Sequence, residues 1–191
     1  MQINDDDKAF EFPPILPLDN AAKIYPAAKG RRSPSMFRLS MELTEEIDRK
    51  VLEQALKRAL KRMPSFSQHL KRGFFWYHLE HRQDVPPVSD EIRNPCVYLN
   101  EKKNKGFQLR VSSYRNRISV DYFHVLTDGT GGMVFLKTLV AEYVSIKYAV
   151  TIPRGNGILD CSEAPQKAEY EDSFFRYARP TGISRLEKPA Y

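Results

Sequence analysis

The sequence predicts an α/β fold: a mixed, mostly antiparallel sheet with two helices packed on it. Three observations predict it. Apolar residues recur at helical spacing over 45–62 and again over 133–148. Apolar and polar residues alternate with a period of two over 36–43, 74–81, 107–114 and 117–124. The last two runs flank Arg115-Asn116, a two-residue break that suits an antiparallel hairpin. At 191 residues the chain is long enough for one sizeable core.

The elements follow in order. Pro13, Pro14, Pro17, Pro26 and Pro34 exclude long helices and central strands from 1–35. Phe10, Phe12, Ile15, Leu16, Leu18, Ile24 and Tyr25 make the same stretch too apolar for a free linker, so it reads as an arm lying on the rest. Asp19-Asn20 offers a cap for one short helical turn. In 36–43, Phe37, Leu39, Met41 and Leu43 alternate with Arg38, Ser40 and Glu42, the pattern of a half-buried strand. Thr44 is the expected N-cap of the first helix, with Glu45, Glu46 and Asp48 at its positive end. Ile47, Val51, Leu52, Ala55, Leu56, Ala59, Leu60 and Met63 form its apolar stripe, and Pro64 ends it. A strand is expected over 74–81 and a short one over 96–99. Gly129 to Gly132 read as a turn, with the second helix after them.

Periodicity fades over 151–191, where Pro153, Gly155, Gly157, Pro165, Pro180, Gly182 and Pro189 interrupt the chain. A short helix fits 171–177. The organisation expected is therefore one unit over 1–150, made of the arm 1–35 and a core 36–150, followed by a crossover or linker over 151–191.

Hydrophobic residues at 41% and charged residues at 28% exclude a collagen-like, a disordered or a membrane-spanning chain. Thirty Lys and Arg against 24 Asp and Glu leave +6, which suits either a phosphate-bearing partner or simply a solvated surface. Cys96 and Cys161 cannot make a disulfide framework and match no zinc spacing. With an acidic N-terminus in place of a basic signal segment, and no apolar run of 18 residues, a reduced cytoplasmic protein with no membrane span is expected.

The sharpest chemical feature is Phe123-His124-Val125-Leu126-Thr127-Asp128-Gly129, between an expected strand and an expected helix. Alternation puts His124 on the face of Ile118, Val120 and Tyr122. An imidazole at a strand end can take a proton from a bound hydroxyl or thiol near neutral pH. Asp128 is placed to hold the turn, and Gly129 to supply a positive φ or a close backbone approach. A buried, satisfied histidine is the structural alternative.

Other constellations are weaker. Gly129-Thr130-Gly131-Gly132 lacks the third glycine and the preceding βαβ unit of a dinucleotide fingerprint. His81 would face away from His78 and Glu80 on a strand, so no metal site is expected. Lys57, Arg58, Lys61, Arg62, Lys71 and Arg72 beside Phe74, Phe75 and Trp76 suit a solvated helix end and a buried strand better than a nucleic-acid surface, so no nucleic acid is expected as a partner.

His124 to Gly129 resembles the His-x-x-x-Asp-Gly motif of the CoA-dependent acyltransferases, which include chloramphenicol acetyltransferase, condensation domains, BAHD acyltransferases and wax ester synthases. Pro17 to Pro26 and Gly73 to Tyr77 are similar to the alcohol acetyltransferase-like branch. The resemblance implies one half of a chloramphenicol acetyltransferase-like two-half fold, here the N-terminal half, over most of the chain. It implies His124 as general base on an acceptor hydroxyl, with Asp128 and Gly129 as structural motif residues. Acyl-CoA would be a co-substrate rather than a bound cofactor, and an alcohol the acceptor. Phe123 stands where many relatives carry a second histidine, and nothing here matches the family's Asp-Phe-Gly-Trp-Gly motif of the other half.

The same resemblance implies a tunnel between two halves, with His124 at the interface and Tyr122 as a candidate for the exposed apolar face. Residues 151–191 would then be poorly anchored or swapped onto a neighbour. The partner would be the second half or another copy of the chain. The alternative is a catalytically inactive half-domain that binds or assembles.

Overall fold

The computed structural model describes residues 12–18, 22–27, 35–74, 76–97, 99–100, 102–166 and 169. The helix expected over 171–177 and the cap expected at 19–20 lie outside them. In chain order the elements are β1 (Ile15–Pro17), α1 (Ile24–Ala27), β2 (Met36–Glu42), α2 (Arg49–Arg62), a 3-10 turn (Pro64–Phe66), β3 (Gln68–Arg72), β4 (Tyr77–His81), β5 (Val88–Asp90), β6 (Leu109–Tyr114), β7 (Arg117–Phe123) and α3 (Gly129–Tyr148). They form two sheets, ordered β2-β7-β6-β5 and β1-β4-β3. All pairings are antiparallel except β5 with β6. The architecture is thus a mixed, mostly antiparallel α/β fold with packed helices.

Alternation along the strands of the larger sheet gives it two unlike faces. Phe37, Leu39, Met41, Leu109, Val111, Ile118, Val120 and Tyr122 face α2 and α3 and form the main core with Leu52, Leu56, Phe135, Leu139 and Tyr143. On the opposite face Asp121 is fully buried. Arg38 donates two hydrogen bonds to its carboxylate at 2.9 and 2.8 Å, and Arg110 donates two more at 3.0 and 2.8 Å. The hairpin between β6 and β7 turns at Arg115-Asn116 as expected, with Arg115 at φ 49°. The arm contributes β1 as an edge strand on β4, a position where a sheet tolerates Pro17.

The first helix begins four residues later than its charge pattern suggested. The Leu43 amide donates to Asn116 O and the Ile47 amide to Arg115 O, both at 2.8 Å, so 43–47 is bound to the β6–β7 turn. Asp48, not Thr44, is the N-cap, accepting from the Lys50 and Val51 amides at 2.8 and 3.2 Å. Tyr143 on α3 accepts the Asp48 amide at 2.9 Å and so ties the start of α2 to the neighbouring helix.

Two strand expectations also change. The 74–81 strand starts at Tyr77, because the Gly73 amide donates to Trp76 O at 2.8 Å and closes the turn of the β3–β4 hairpin there. Phe74 and Trp76 are exposed in that turn rather than buried. Residues 96–97 form no strand: Cys96 has φ 57°, and its amide donates to Asp121 Oδ1 at 3.2 Å. That loop helps to seal the buried carboxylate.

The described part of 151–169 is anchored, contrary to the expectation of a loose crossover. The Leu159 amide donates to Thr138 Oγ1 at 3.0 Å, and Arg154 donates to Glu142 at 2.7 Å. Buried Arg62 grips Glu169 with two hydrogen bonds of 2.6 and 2.7 Å and also donates to Asp160 O at 3.0 Å. A guanidinium this deep is retained only with such a fork of partners.

Candidate functional site

β7 ends at Phe123 and α3 begins at Gly129, so the motif spans the strand-to-helix connection. Its geometry starts with backbone. The His124 amide donates to Ser35 O at 3.0 Å, which continues the β2–β7 ladder by one bond and fixes where the side chain leaves the sheet. Leu126 N then donates to Phe123 O at 2.9 Å and turns the chain. Val125 packs into a small second core with Leu18, Ala22, Leu79 and Phe123.

His124 is half-buried. Its ring stacks on Tyr25 of α1, centroids 5.1 Å apart and planes at 16°. It lies tilted against Phe37 of β2, centroids 4.5 Å apart. Among the described residues none hydrogen-bonds to the imidazole. Neither ring nitrogen is held by a described residue, which suits a group that exchanges a proton with a visiting molecule.

Asp128 is exposed, with φ −89° and ψ −177°, and its Oδ1 accepts the Gly131 amide at 2.8 Å. It is the N-cap of α3. Its carboxylate also lies at the positive end of a 20-residue helix.

Gly129 needs correcting. It is not among the positive-φ residues, and a Cβ there would meet nothing within 4 Å. The steric demand falls two and three residues later. A Cβ at Gly131 would collide with Thr127 Oγ1, and one at Gly132 would press on the Phe37 ring at 3.1 Å and Leu39 at 3.3 Å. Glycine at these positions lets the first turn of α3 form over Thr127 and settle against β2. The stretch read as a turn is therefore helical.

Tyr122 is also corrected: it is fully buried, not part of an exposed face. Its hydroxyl donates to Gly132 O at 2.8 Å, and its ring stacks on Phe37 at 5.0 Å. Burial pushes its phenol well above the usual range. Sequence reasoning missed Tyr25, Phe37, Gly131 and Gly132 as neighbours of the motif. Only the apolar character of Tyr25 and the alternation through Phe37 hinted at them. Among the described residues no group of three or more His, Cys, Asp or Glu is placed to hold a metal ion. No described helix is long and apolar enough to cross a membrane.

No protein-family model and no curated protein matches the chain. Solved structures match it in fold. Polyketide synthase associated protein 5 from Mycobacterium tuberculosis aligns with TM-score 0.53 and 16% identity, over 75% of this chain and 38% of its own. An arginine-to-alanine mutant of the starter condensation domain of rhizomide synthetase RzmA, in complex with C8-CoA, aligns with TM-score 0.57 and 13% identity, over 72% of this chain and 37% of its own. This is a condensation-domain-like half fold. The X-domain from teicoplanin biosynthesis, in its complex with OxyB, gives TM-score 0.54 and 15% identity over 77% of this chain and 36% of its own. The chain spans less than two fifths of the length of these three structures.

Proposed function

We propose that the chain is the N-terminal half of a CoA-dependent O-acyltransferase of the alcohol acetyltransferase-like branch, with His124 as general base. The observation that carries this reading is the half-exposed imidazole, with neither nitrogen held by a described residue, at the end of β7 and ahead of the Asp128-capped helix. An alcohol hydroxyl gives its proton to the imidazole while its oxygen attacks the thioester carbonyl. The tetrahedral intermediate then collapses and expels the CoA thiolate, which recovers that proton. The products are an ester and free CoA. Asp128 keeps the connection closed through its cap on α3, and Gly129 occupies the motif's glycine position. The condensation-domain neighbour bound to C8-CoA supports acyl-CoA as the donor.

A half fold of this kind leaves its site face to a partner, either a second half or a second copy of the chain. Ile24 on α1 and Met133 near the start of α3, the two helices next to the motif, are 66% and 38% exposed. They take the place given to Tyr122 as candidates for that face. Sedimentation at micromolar concentration tests this: self-association, or binding of a second half, is expected, and a strictly monomeric chain with ordinary turnover overturns it.

Thiol release from acetyl-CoA with an added alcohol tests the chemistry on the protein expressed from its whole reading frame. His124→Ala is expected to cost about 10²–10⁴-fold in rate, the usual worth of a positioned base. Equal turnover in the variant overturns the assignment. A second reading, a catalytically inactive half that binds a partner, is favoured by the X-domain neighbour found in complex with OxyB. It predicts no thiol release from either form.

A further inference from the structure

General bases are commonly held in one orientation by a third group that hydrogen-bonds to the far ring nitrogen. Here no described residue does so, and the carboxylate of the motif is committed elsewhere, to the Gly131 amide. What touches the imidazole is aromatic. Four rings follow one another in contact: Tyr25, His124, Phe37 and Tyr122, with successive centroids 5.1, 4.5 and 5.0 Å apart. The inner end is fixed, because Tyr122 is fully buried and its hydroxyl donates to Gly132 O. Phe37 is held in β2, two residues from the bond between Ser35 O and the His124 amide. The outer end is the arm. Tyr25 lies in a single helical turn, α1, where Pro26 costs no hydrogen bond and presets φ. The arm is held in turn by β1 on β4 and by Leu18 and Ala22 in the second core.

We infer that Tyr25 is the positioning residue of His124: the arm's ring, stacked on the imidazole, sets the orientation in which the base meets its hydroxyl. This rests on the general-base reading given above. A near-parallel stack at 16° restrains rotation of the imidazole about its bond to Cβ yet leaves both nitrogen edges open. A hydrogen-bonded carboxylate would restrain the ring but occupy one edge. The arm thereby joins the site as its outer wall, and its role is geometric rather than chemical.

The test pairs NMR with kinetics on one protein, expressed from its whole reading frame, in the wild type and in Tyr25→Phe, Tyr25→Leu and Tyr25→Ala. Stacking shields the carbon-bound protons of the His124 ring. Tyr25→Ala and Tyr25→Leu should move those signals downfield, and Tyr25→Phe should leave them near their wild-type positions. In thiol release, Tyr25→Ala and Tyr25→Leu should lower kcat by about 10²-fold, the scale of a misplaced reacting group, with KM for acyl-CoA unchanged. Tyr25→Phe should restore kcat. Unmoved His124 signals in Tyr25→Ala overturn the inference, and so does Tyr25→Phe behaving like Tyr25→Ala, which would assign the role to the hydroxyl. Failure of the general-base reading shows in a different variant, as full activity in His124→Ala.

Discussion

Removing the Asp128 side chain separates a cap from a chemical participant. Its Oδ1 accepts the Gly131 amide at 2.8 Å in the solvent-exposed first turn of α3. Replacing such a cap by alanine costs about 0.5–2 kcal/mol. Losing a carboxylate at a helix N-terminus is worth about 0.3–1 kcal/mol, part of which is already in the cap figure. Asp128→Ala should therefore destabilise by about 1–2 kcal/mol, a fall in Tm of about 2–8 °C for a chain of this size. Asp128→Asn keeps an acceptor oxygen and loses only the charge, so it should cost about 0.3–1 kcal/mol and rank between wild type and Asp128→Ala. The consequence reaches the site through three contacts. The first turn of α3 presents Gly132 O to the Tyr122 hydroxyl, Tyr122 stacks on Phe37, and Phe37 touches His124. Acyl transfer should thus fall with stability in Asp128→Ala and be largely kept in Asp128→Asn. Thermal unfolding and thiol release on the same preparations read both quantities. Wild-type stability in Asp128→Ala, or equal losses in the two variants, would refute the cap argument. Native stability with no activity in Asp128→Asn would make Asp128 a chemical participant instead.

Three further outcomes follow from the same structure. Asp121→Ala leaves Arg110 without its carboxylate and Arg38 with Glu91 alone, at 2.7 Å, and should cost about 3–5 kcal/mol in urea unfolding, as breaking a buried ion pair does; a loss below about 1 kcal/mol would mean that water or Glu91 compensates the cluster. Burial holds the His69 imidazole below its ordinary value, aided by the charge of Arg82, and burial also lowers His81 despite the opposing pull of the Ser67 and Pro64 backbone carbonyls, which accept from its ring. Both then favour the neutral form in the fold, so their contribution is complete above the unfolded value of about 6.5 and is lost as pH falls toward the depressed folded values. The urea midpoint should be lower at pH 5.5 than at 7.5, and a His69→Leu/His81→Leu double variant with the same slope would contradict this. Gly132→Ala should destabilise by about 1–3 kcal/mol, since its Cβ overpacks Phe37 and Leu39, whereas Gly129→Ala should be neutral or slightly stabilising; the reverse order of Tm would refute the assignment of the close approach.

Local pattern was enough to determine much of this protein. The apolar stripes of α2 and α3, the β6–β7 hairpin about Arg115-Asn116 and the strand β2 follow from periodicity and turn chemistry within a few residues of each element. The same pattern placed His124 at a strand end and Asp128 ahead of a helix. Tertiary structure decided whatever depended on partners far along the chain. The start of α2 is set by bonds from Leu43 and Ile47 to a turn some 70 residues away. Cys96 leaves the extended state because its amide is used by Asp121, 25 residues on. Alternation put Tyr122 and His124 on one face but could not say that α3 buries the first and leaves the second half-exposed. Four motif-region residues were equally legible as Gly-Thr-Gly-Gly, yet only the approach of β2 shows that Gly131 and Gly132, not Gly129, must lack a side chain. The stack of Tyr25 on His124 joins residues 99 positions apart, and no local signal carries such a pairing. A side chain's period is written into its neighbours in sequence; the contacts that orient it come from wherever the fold brings another element against it.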